Sequence, residues 1–256
     1  MDLNRYEEKL ELLRKMCDQS FISFGPSGAV KYRVPSQTFP IPNDFLDLTV
    51  FLQRQRSFGQ TRAKHIHCGD TMHSAILIAA AIRLFTPSVV YEIGRYRSWS
   101  TSQMAFALKD ARGEDGEKAK FISIDPHVGA KGGAGWKEDQ CGGLNEWNIS
   151  QDNIEKCGMS PYVTLVKAYS QDYIKHVNDG IELIFIDGDH RYEAAKRDIA
   201  QYGEKVVTNG LVILHDVWGE KFTGANFGPS RAYAEADPEK FEKIGITWDV
   251  GVLRRK

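Results

Sequence analysis

The sequence predicts an α/β fold built on a doubly wound, mostly parallel sheet. From residue 89 onward, short apolar runs alternate with segments of helical periodicity, which is typical of parallel strands joined by right-handed crossovers. The run at 183–186 is apolar at every position, and this indicates a strand buried on both faces. A chain of 256 residues, 42% of them hydrophobic, is also long enough to bury one large core.

The predicted elements follow in chain order. Residues 5–17 place apolar side chains at helical spacing among charges, which indicates an amphipathic surface helix. Residues 21–64 are expected to wrap the core irregularly, and Gly69-Asp70-Thr71 offers an N-cap to a helix through Ile82. The predicted strands are 89–93, 121–124, 162–167, 181–186, 211–214 and 248–253, and the later helices lie near 100–110, 150–157, 192–202 and 230–243. Residues 1–70 are therefore interpreted as an N-terminal extension of a domain spanning residues 71–256.

Composition argues against several classes of protein. The net charge of −1 leaves no basic excess for a nucleic-acid partner. The longest apolar stretch, residues 75–85, is too short to cross a bilayer, and the N-terminus lacks the apolar core of a signal peptide. The four cysteines show no CxxC spacing. We expect a cytoplasmic protein that acts on a small molecule, with neither nucleic acid nor membrane as partner.

Polar residues follow the buried strand directly. Asp187, Asp189 and His190 come at its carboxyl end, where open α/β sheets bind ligands. Two carboxylates and an imidazole could hold a hard cation and move a proton. An acidic turn that caps a helix explains the same residues equally well.

Three other strand ends together indicate a nucleoside-bearing cofactor. Gly94 allows a tight turn after the first strand, and Ser100 could cap the helix whose amides would face a ligand. Asp125, after the second strand, could accept hydrogen bonds from a ribose diol, and residues 170–172 could contact an adenine edge. NAD is one candidate, although the missing glycines of a GxGxxG motif disfavour an NAD-linked oxidoreductase.

These motifs together resemble class I S-adenosylmethionine-dependent methyltransferases. More narrowly, residues 185–192 and 209–217 resemble the macrocin- and mycinamicin-type sugar O-methyltransferases and the cephalosporin hydroxylase-like proteins. The resemblance covers about residues 72–256. It implies a Rossmann-like, seven-stranded sheet, S-adenosylmethionine as cofactor and a sugar or glycosylated small molecule as acceptor.

The resemblance also implies which residues bind the cofactor. At the ribose the implied contact is Asp125, and near the adenine the implied contacts are Ser170 and Gln171. The contacts implied at the methionine end are Glu92, Gly94, Tyr96, Ser98 and Ser100, and Asp187 also belongs to the cofactor-binding set. Ser98 stands where the family usually has a second glycine, which would alter the affinity for the cofactor.

The chemistry is implied for a second set of residues. Asp187 and Asp216 match the metal-binding carboxylates of the family, normally for Mg²⁺, and His190 matches its general base. His215 stands where relatives offer a second acid, which makes it the candidate third ligand. A cation there would lower the pKa of an acceptor hydroxyl, and an imidazole suits the proton's removal at neutral pH. Asp189 either orients His190 or faces solvent.

A catalytically silent nucleoside-binding domain of the same fold is the main alternative function. Acceptor selectivity is expected in residues 20–70, 127–149 and 218–229, and the glycine-rich segment 129–143 is expected to form a mobile loop over the site. Asp198 is expected to be solvated or salt-bridged on its helix. The N-terminal segment is a candidate for contacts in a homo-oligomer.

Overall fold

A computed structural model of the chain describes residues 3–17, 22–24, 30–32, 68–113, 119–128, 146–178, 180–218, 228–247 and 249–256. Its α-helices are Leu3–Cys17, Cys68–Phe85, Trp99–Arg112, Glu146–Lys156, Ser170–Tyr173, Tyr192–Gly203 and Gly228–Ala234. Its strands are β1 (Ile22–Phe24), β2 (Val30–Tyr32), β3 (Val89–Ile93), β4 (Lys120–Ile124), β5 (Thr164–Val166), β6 (Ile181–Ile186), β7 (Val206–His215), β8 (Phe241–Thr247) and β9 (Val250–Arg255). The glycine-rich segment 129–143 and most of the three segments expected to select the acceptor lie outside the described residues.

Seven strands form one sheet in the order β5-β4-β3-β6-β7-β9-β8. β3 to β7 pair in parallel, whereas β9 runs antiparallel to both of its neighbours. The prediction of a Rossmann-like, mostly parallel seven-stranded α/β sheet is confirmed. Chain order moves outward from β3 to β5 and then returns to β6 on the other side of β3, so the topological switch point lies between β3 and β6.

The last predicted helix, near 230–243, is wrong beyond Ala234. The helix ends there; residues 235–240 form turns, and the last residues of the predicted helix, 241–243, begin the edge strand β8. Asp237 forms a turn between them, in which its carbonyl accepts from the Phe241 amide at 2.8 Å and its carboxylate from the Glu239 amide at 2.9 Å. Pro238 has no amide hydrogen to continue a helix, and the following residues pair with β9 instead. A β1–β2 hairpin likewise occurs inside the segment expected to be irregular.

Both faces of the sheet are buried. One face packs against Trp99–Arg112, Cys68–Phe85 and the N-terminal helix, and the other packs against Tyr192–Gly203. In the N-terminal helix Leu10 and Leu13 are fully buried, and each contributes about 1.5–3 kcal/mol to stability. This helix therefore belongs to the core that supports the sheet. Among the described residues no helix is both long and apolar enough to span a bilayer.

Candidate functional site

Gly94 joins the ends of the two strands at the switch point. Its φ of 85° lies in the left-handed region, and a Cβ atom there would overlap the carbonyl of Asp187. The Asp187 amide donates to the Ile93 carbonyl at 2.7 Å, which extends the pairing of β3 and β6 past the strands. The sequence predicts a tight turn at this glycine, and the structure shows in addition a close approach of backbone to backbone.

Asp187, His190, His215 and Asp216 converge at the carboxyl ends of β6 and β7. His215 Nδ1 lies 3.1 Å from Asp187 Oδ1 and 3.5 Å from Asp216 Oδ2. His190 Nε2 lies 3.4 Å from Asp187 Oδ1, and its Nδ1 lies 3.3 Å from Asp216 Oδ2. Ligand atoms of Asp187, His190 and Asp216 all fall within 4.8 Å of one another. The structure thus brings together all four residues predicted for the metal and the base.

In this cluster, neighbouring charges and burial shift the pKa values of the side chains in opposite directions. Burial would lower the pKa of His215, but the carboxylates of Asp187 and Asp216 outweigh it and raise that pKa well above the usual value. Burial also favours a lower pKa for His190, and again Asp187, with a smaller effect from Asp216, raises it. Burial would raise the pKa of Asp187, yet His215 and His190 hold it well below its usual range. The carboxylate of Asp187 and each of the two imidazoles therefore favour each other's charged forms, whereas His215 opposes the charge on His190.

Asp249 is a member of the site that the sequence analysis missed. It lies immediately before β9, is 1% exposed, and brings its Oδ2 atom to 3.1 Å from His215 Nε2. Its Oδ1 accepts from Ser74 Oγ at 3.1 Å, and its backbone carbonyl accepts from the Val217 amide at 2.8 Å. An acid beside an otherwise apolar run at 250–253 was the signal in the sequence. His215 consequently has a carboxylate near each ring nitrogen.

Glu92 is buried at the carboxyl end of β3, below the surface of the site. Three hydroxyls donate to its carboxylate: Ser100 at 2.6 Å, Thr101 at 2.6 Å and Ser123 at 2.5 Å. Burial raises the pKa of Glu92 to about 7, against the effect of these hydroxyls and of Arg95. Glu92 and Ser100 therefore hold each other beneath the turn that follows β3.

Asp125 holds the same turn from the end of β4. Its Oδ2 accepts from the amides of Arg95 and Tyr96, both at 2.8 Å, and its Oδ1 accepts from the His127 amide at 2.6 Å. Each carboxylate oxygen has two lone pairs, so these bonds fill Oδ2 and leave one lone pair on Oδ1 for a ribose hydroxyl. Arg95, missed by the sequence analysis, is 2% exposed and donates to the carbonyl of Ser123 at 2.5 Å and to His127 Nε2 at 3.1 Å.

Backbone strain is concentrated at this edge of the sheet. Among the described residues, six that are not glycine have positive φ, and four of these follow β3, β4 or β7: Tyr96 (47°), Ser98 (64°), His127 (51°) and Asp216 (55°). Such conformations cost of order 1–3 kcal/mol each and persist where the surroundings enforce them. The left-handed φ of Ser98 explains why a glycine would suit this position.

The remaining predicted residues have other contacts. The buried Ser98 Oγ meets Ser150 Oγ at 2.5 Å, and Ser170 Oγ donates to Asp198 Oδ1 at 2.8 Å, while Gln171 is exposed. Asp198 is 2% exposed and lies 3.9 Å from Arg197 Nε, so of the two expectations the salt-bridged residue is confirmed and the solvated one is wrong; burial raises its pKa to about 6. Asp189 is exposed and pairs with the side chain of Arg191 rather than with His190.

Residues 91–217 match the model of a methyltransferase domain. A solved structure of a putative O-methyltransferase from Klebsiella pneumoniae is similar over 86% of this chain and 93% of its own, with 15% identity and a TM-score of 0.56. An O-methyltransferase from Bacillus cereus in complex with SAH is similar over 86% and 94%, with 14% identity and a TM-score of 0.56. TomG, an O-methyltransferase from Streptomyces achromogenes involved in tomaymycin synthesis and solved in complex with SAM, is similar over 86% and 92%, with 13% identity and a TM-score of 0.53.

At these identities the solved structures establish a shared fold. The match over residues 91–217 is to a methyltransferase domain, and the solved structures add the likeness of fold.

Proposed function

We propose that this protein transfers a methyl group from S-adenosylmethionine to a hydroxyl of a sugar or glycosylated small molecule, with the help of a divalent cation. The observation that carries the proposal is the convergence of Asp187, Asp216 and His190 beside the switch point. Open α/β sheets bind ligands at this place. The sugar class of acceptor rests on the resemblance of residues 185–192 and 209–217 alone.

The cofactor fits the edge formed by β3, β4 and β5. Asp125 is partly exposed and keeps one Oδ1 lone pair for a hydroxyl of a ribose diol, and the amides of Arg95 and Tyr96 already fix its orientation. Val128 and Tyr169, just past β4 and β5, are 46% and 45% exposed. Apolar surface left open beside a ribose site suits a nucleobase. These features support binding of the nucleoside part of the cofactor here.

A divalent cation fits the cluster at β6 and β7. The carboxylates of Asp187 and Asp216 supply anionic oxygens, and His215 Nδ1 lies beside both. When bound, such a cation lowers the pKa of an acceptor hydroxyl and fixes its orientation. We assign Asp187, Asp216 and His215 as its ligands.

The remaining chemistry falls to positioning and to one proton transfer. The acceptor oxygen forms a bond to the methyl carbon as the bond between carbon and sulfur breaks, and the electron pair returns to sulfur. Holding these atoms in line supplies much of the rate. His190 is assigned to accept the hydroxyl proton, because its imidazole lies at the cluster and remains partly exposed.

Two measurements test the proposal. Calorimetric titration with S-adenosylmethionine should show that the cofactor binds to the wild-type protein. In a panel of glycosides and matched sugar-free alcohols, the labelled methyl group should be transferred to glycosides and not to the alcohols. Binding without transfer to any acceptor would favour the silent nucleoside-binding domain. Absence of binding at millimolar cofactor would exclude the proposal, and binding of a nicotinamide cofactor instead would favour an oxidoreductase.

A further inference from the structure

The ring of His215 lies between the proposed cation site and a buried acid. Its Nδ1 atom faces Asp187 and Asp216, and its Nε2 atom is 3.1 Å from Asp249 Oδ2. The contact with Asp249 is at ion-pair distance without hydrogen-bond alignment, and Oδ2 accepts no hydrogen bond within the described part of the chain. Asp249 Oδ2 is therefore available to accept a hydrogen bond from His215 Nε2 when His215 Nδ1 binds a cation on the opposite side of the ring.

Asp249 is well suited to hold His215 toward a cation. A histidine that binds metal through one nitrogen usually donates its other N–H to a carboxylate, and this fixes the ring's tautomer and orientation. Asp249 is held in turn by Ser74 Oγ and by the Val217 amide, so its position does not depend on solvent. Strand register adds to this: His215 pairs with Val250, the residue that follows Asp249.

The donor set does not suit magnesium. Mg²⁺ takes oxygen ligands in near-octahedral geometry and retains several waters, whereas imidazole nitrogen suits Fe²⁺ and Zn²⁺, and Mn²⁺ occupies sites of mixed carboxylate and histidine ligands. Here His215 Nδ1 is as close to Asp187 Oδ1 as a ligand of the same ion would be, and a second imidazole, His190, lies at 3.3–3.4 Å from the same carboxylates. At least one nitrogen therefore faces any cation held by Asp187 and Asp216.

We propose that this site selects a divalent transition-metal ion over magnesium, with His215 as a nitrogen ligand and Asp249 as the residue that positions it. The proposal rests on the cation site of the proposed function and departs from the magnesium that the family resemblance implies. It assigns no ligand role to His190, which stays the proposed base.

The first test asks whether nitrogen binds the ion. Metal-stripped protein is loaded with Mn²⁺, and pulsed electron paramagnetic resonance measures ¹⁴N modulation on the bound ion. We expect modulation in the wild-type protein and in H190A, and its loss in H215E. A Mn²⁺ signal without ¹⁴N modulation in the wild-type protein would overturn the proposal. So would modulation that disappears in H190A and persists in H215E.

The second test measures selectivity by calorimetry with Mn²⁺ and Mg²⁺. Because most sites prefer Mn²⁺ to some degree, the ratio of the two dissociation constants is compared between variants. H215E, which restores an oxygen ligand, should narrow the ratio by roughly tenfold or more. D249N should weaken Mn²⁺ binding by about 10- to 100-fold and leave Mg²⁺ binding less affected. D198N, at another buried acid, whose carboxylate accepts from Ser170 Oγ, is the matched control and should change neither constant.

The same samples separate this proposal from the methyltransferase assignment. Titration with S-adenosylmethionine shows whether each variant retains a folded cofactor site. If the cofactor binds and an unchanged Mn²⁺ to Mg²⁺ ratio is found in H215E, the transition-metal proposal fails and the methyltransferase stands. If nitrogen-coordinated Mn²⁺ is found without cofactor binding, the metal proposal stands and the proposed function fails.

Discussion

The two halves of the sheet's carboxyl edge use acidic residues in opposite ways. At β3 and β4, the carboxylates of Glu92 and Asp125 accept hydrogen bonds at 2.5–2.8 Å from three hydroxyls and three backbone amides of the same chain. At β6 and β7, Asp187 and Asp216 face imidazoles at 3.1–3.5 Å. The first half is a closed network of short bonds, and the second is a looser cluster of charged groups.

This difference separates a platform from a reaction site. An acid that accepts three hydrogen bonds from its own chain shapes the turn beside it and is already in place when a ligand arrives. Acids that face ionisable groups at longer distances retain oxygen lone pairs for a cation or a substrate.

Replacement of Asp216 by asparagine should have the largest effect. Asparagine is well tolerated at a left-handed φ, so the backbone at 55° is retained while one anionic ligand is lost. If the cation supplies several kcal/mol of charge stabilisation, turnover should fall about 10⁴-fold or more. Steady-state kinetics and calorimetry with S-adenosylmethionine measure the change, and cofactor affinity should stay near the wild-type value.

Asp189 provides the control for that experiment. It is an exposed acid only two residues from Asp187 and pairs with Arg191, so D189N should retain turnover. Equal losses in D189N and D216N would show that net negative charge at this edge, rather than a cation site, governs activity.

His190→Ala tests the proton transfer. Loss of a positioned general base costs about 10²- to 10⁴-fold in rate, so turnover should fall by that factor while the cofactor binds almost normally. His176, which is exposed and lies at the end of a short 3-10 helix away from the cluster, gives a matched H176A control. Turnover within threefold of wild type in H190A would remove His190 from the role of base, whatever the control shows.

The direction of the strands explains which site residues could be predicted from the sequence. Alternating strands and helices fixed the parallel part of the sheet, and parallel strands end at one edge, so Asp187, His190 and Asp216 could be placed together. Asp249 was not predicted as a site residue because β9 is antiparallel, so the amino end of this strand, not its carboxyl end, reaches the site.

The start of strand β8 was assigned to a helix because the turn at Asp237 is specified by local hydrogen bonds, which the hydrophobic periodicity does not reveal.

Gly94→Ala tests the backbone contact that joins the two halves of the edge, between Gly94 after β3 and Asp187 after β6. A methyl group here overlaps the Asp187 carbonyl and must also adopt a φ of 85°, so strain and overlap together should lower the free energy of unfolding by about 3–5 kcal/mol. Gly113 is the matched control, since it has a φ of 76° with nothing within 4 Å of an added Cβ. Denaturant unfolding measures the loss of stability in both variants, and the difference between the two losses is the cost of the overlap at Gly94. Equal losses would show that the close contact between the ends of β3 and β6 does not limit the residue at position 94.

Asp198, on the helix that follows β6, offers the smallest and most selective test, because it is a buried acid whose carboxylate accepts a side-chain hydrogen bond from Ser170 Oγ alone among the described contacts. Its folded pKa of about 6 lies above the usual 3.8, so the folded protein holds the proton more tightly than the unfolded chain. Stability contributed by this group is present below about pH 4, declines as the pH rises to about 6, and is constant above that. The loss amounts to roughly 2–3 kcal/mol. D198N keeps the side chain's volume and an oxygen for Ser170 Oγ, so its free energy of unfolding should match that of wild type near pH 4 and exceed it near pH 7. Urea unfolding across this range measures the difference between the two proteins, in which other titrating groups cancel. A difference that does not change with pH would mean that Asp198 is ionised at no cost, and that the number of hydrogen bonds an acid accepts is not what distinguishes the two halves of the edge.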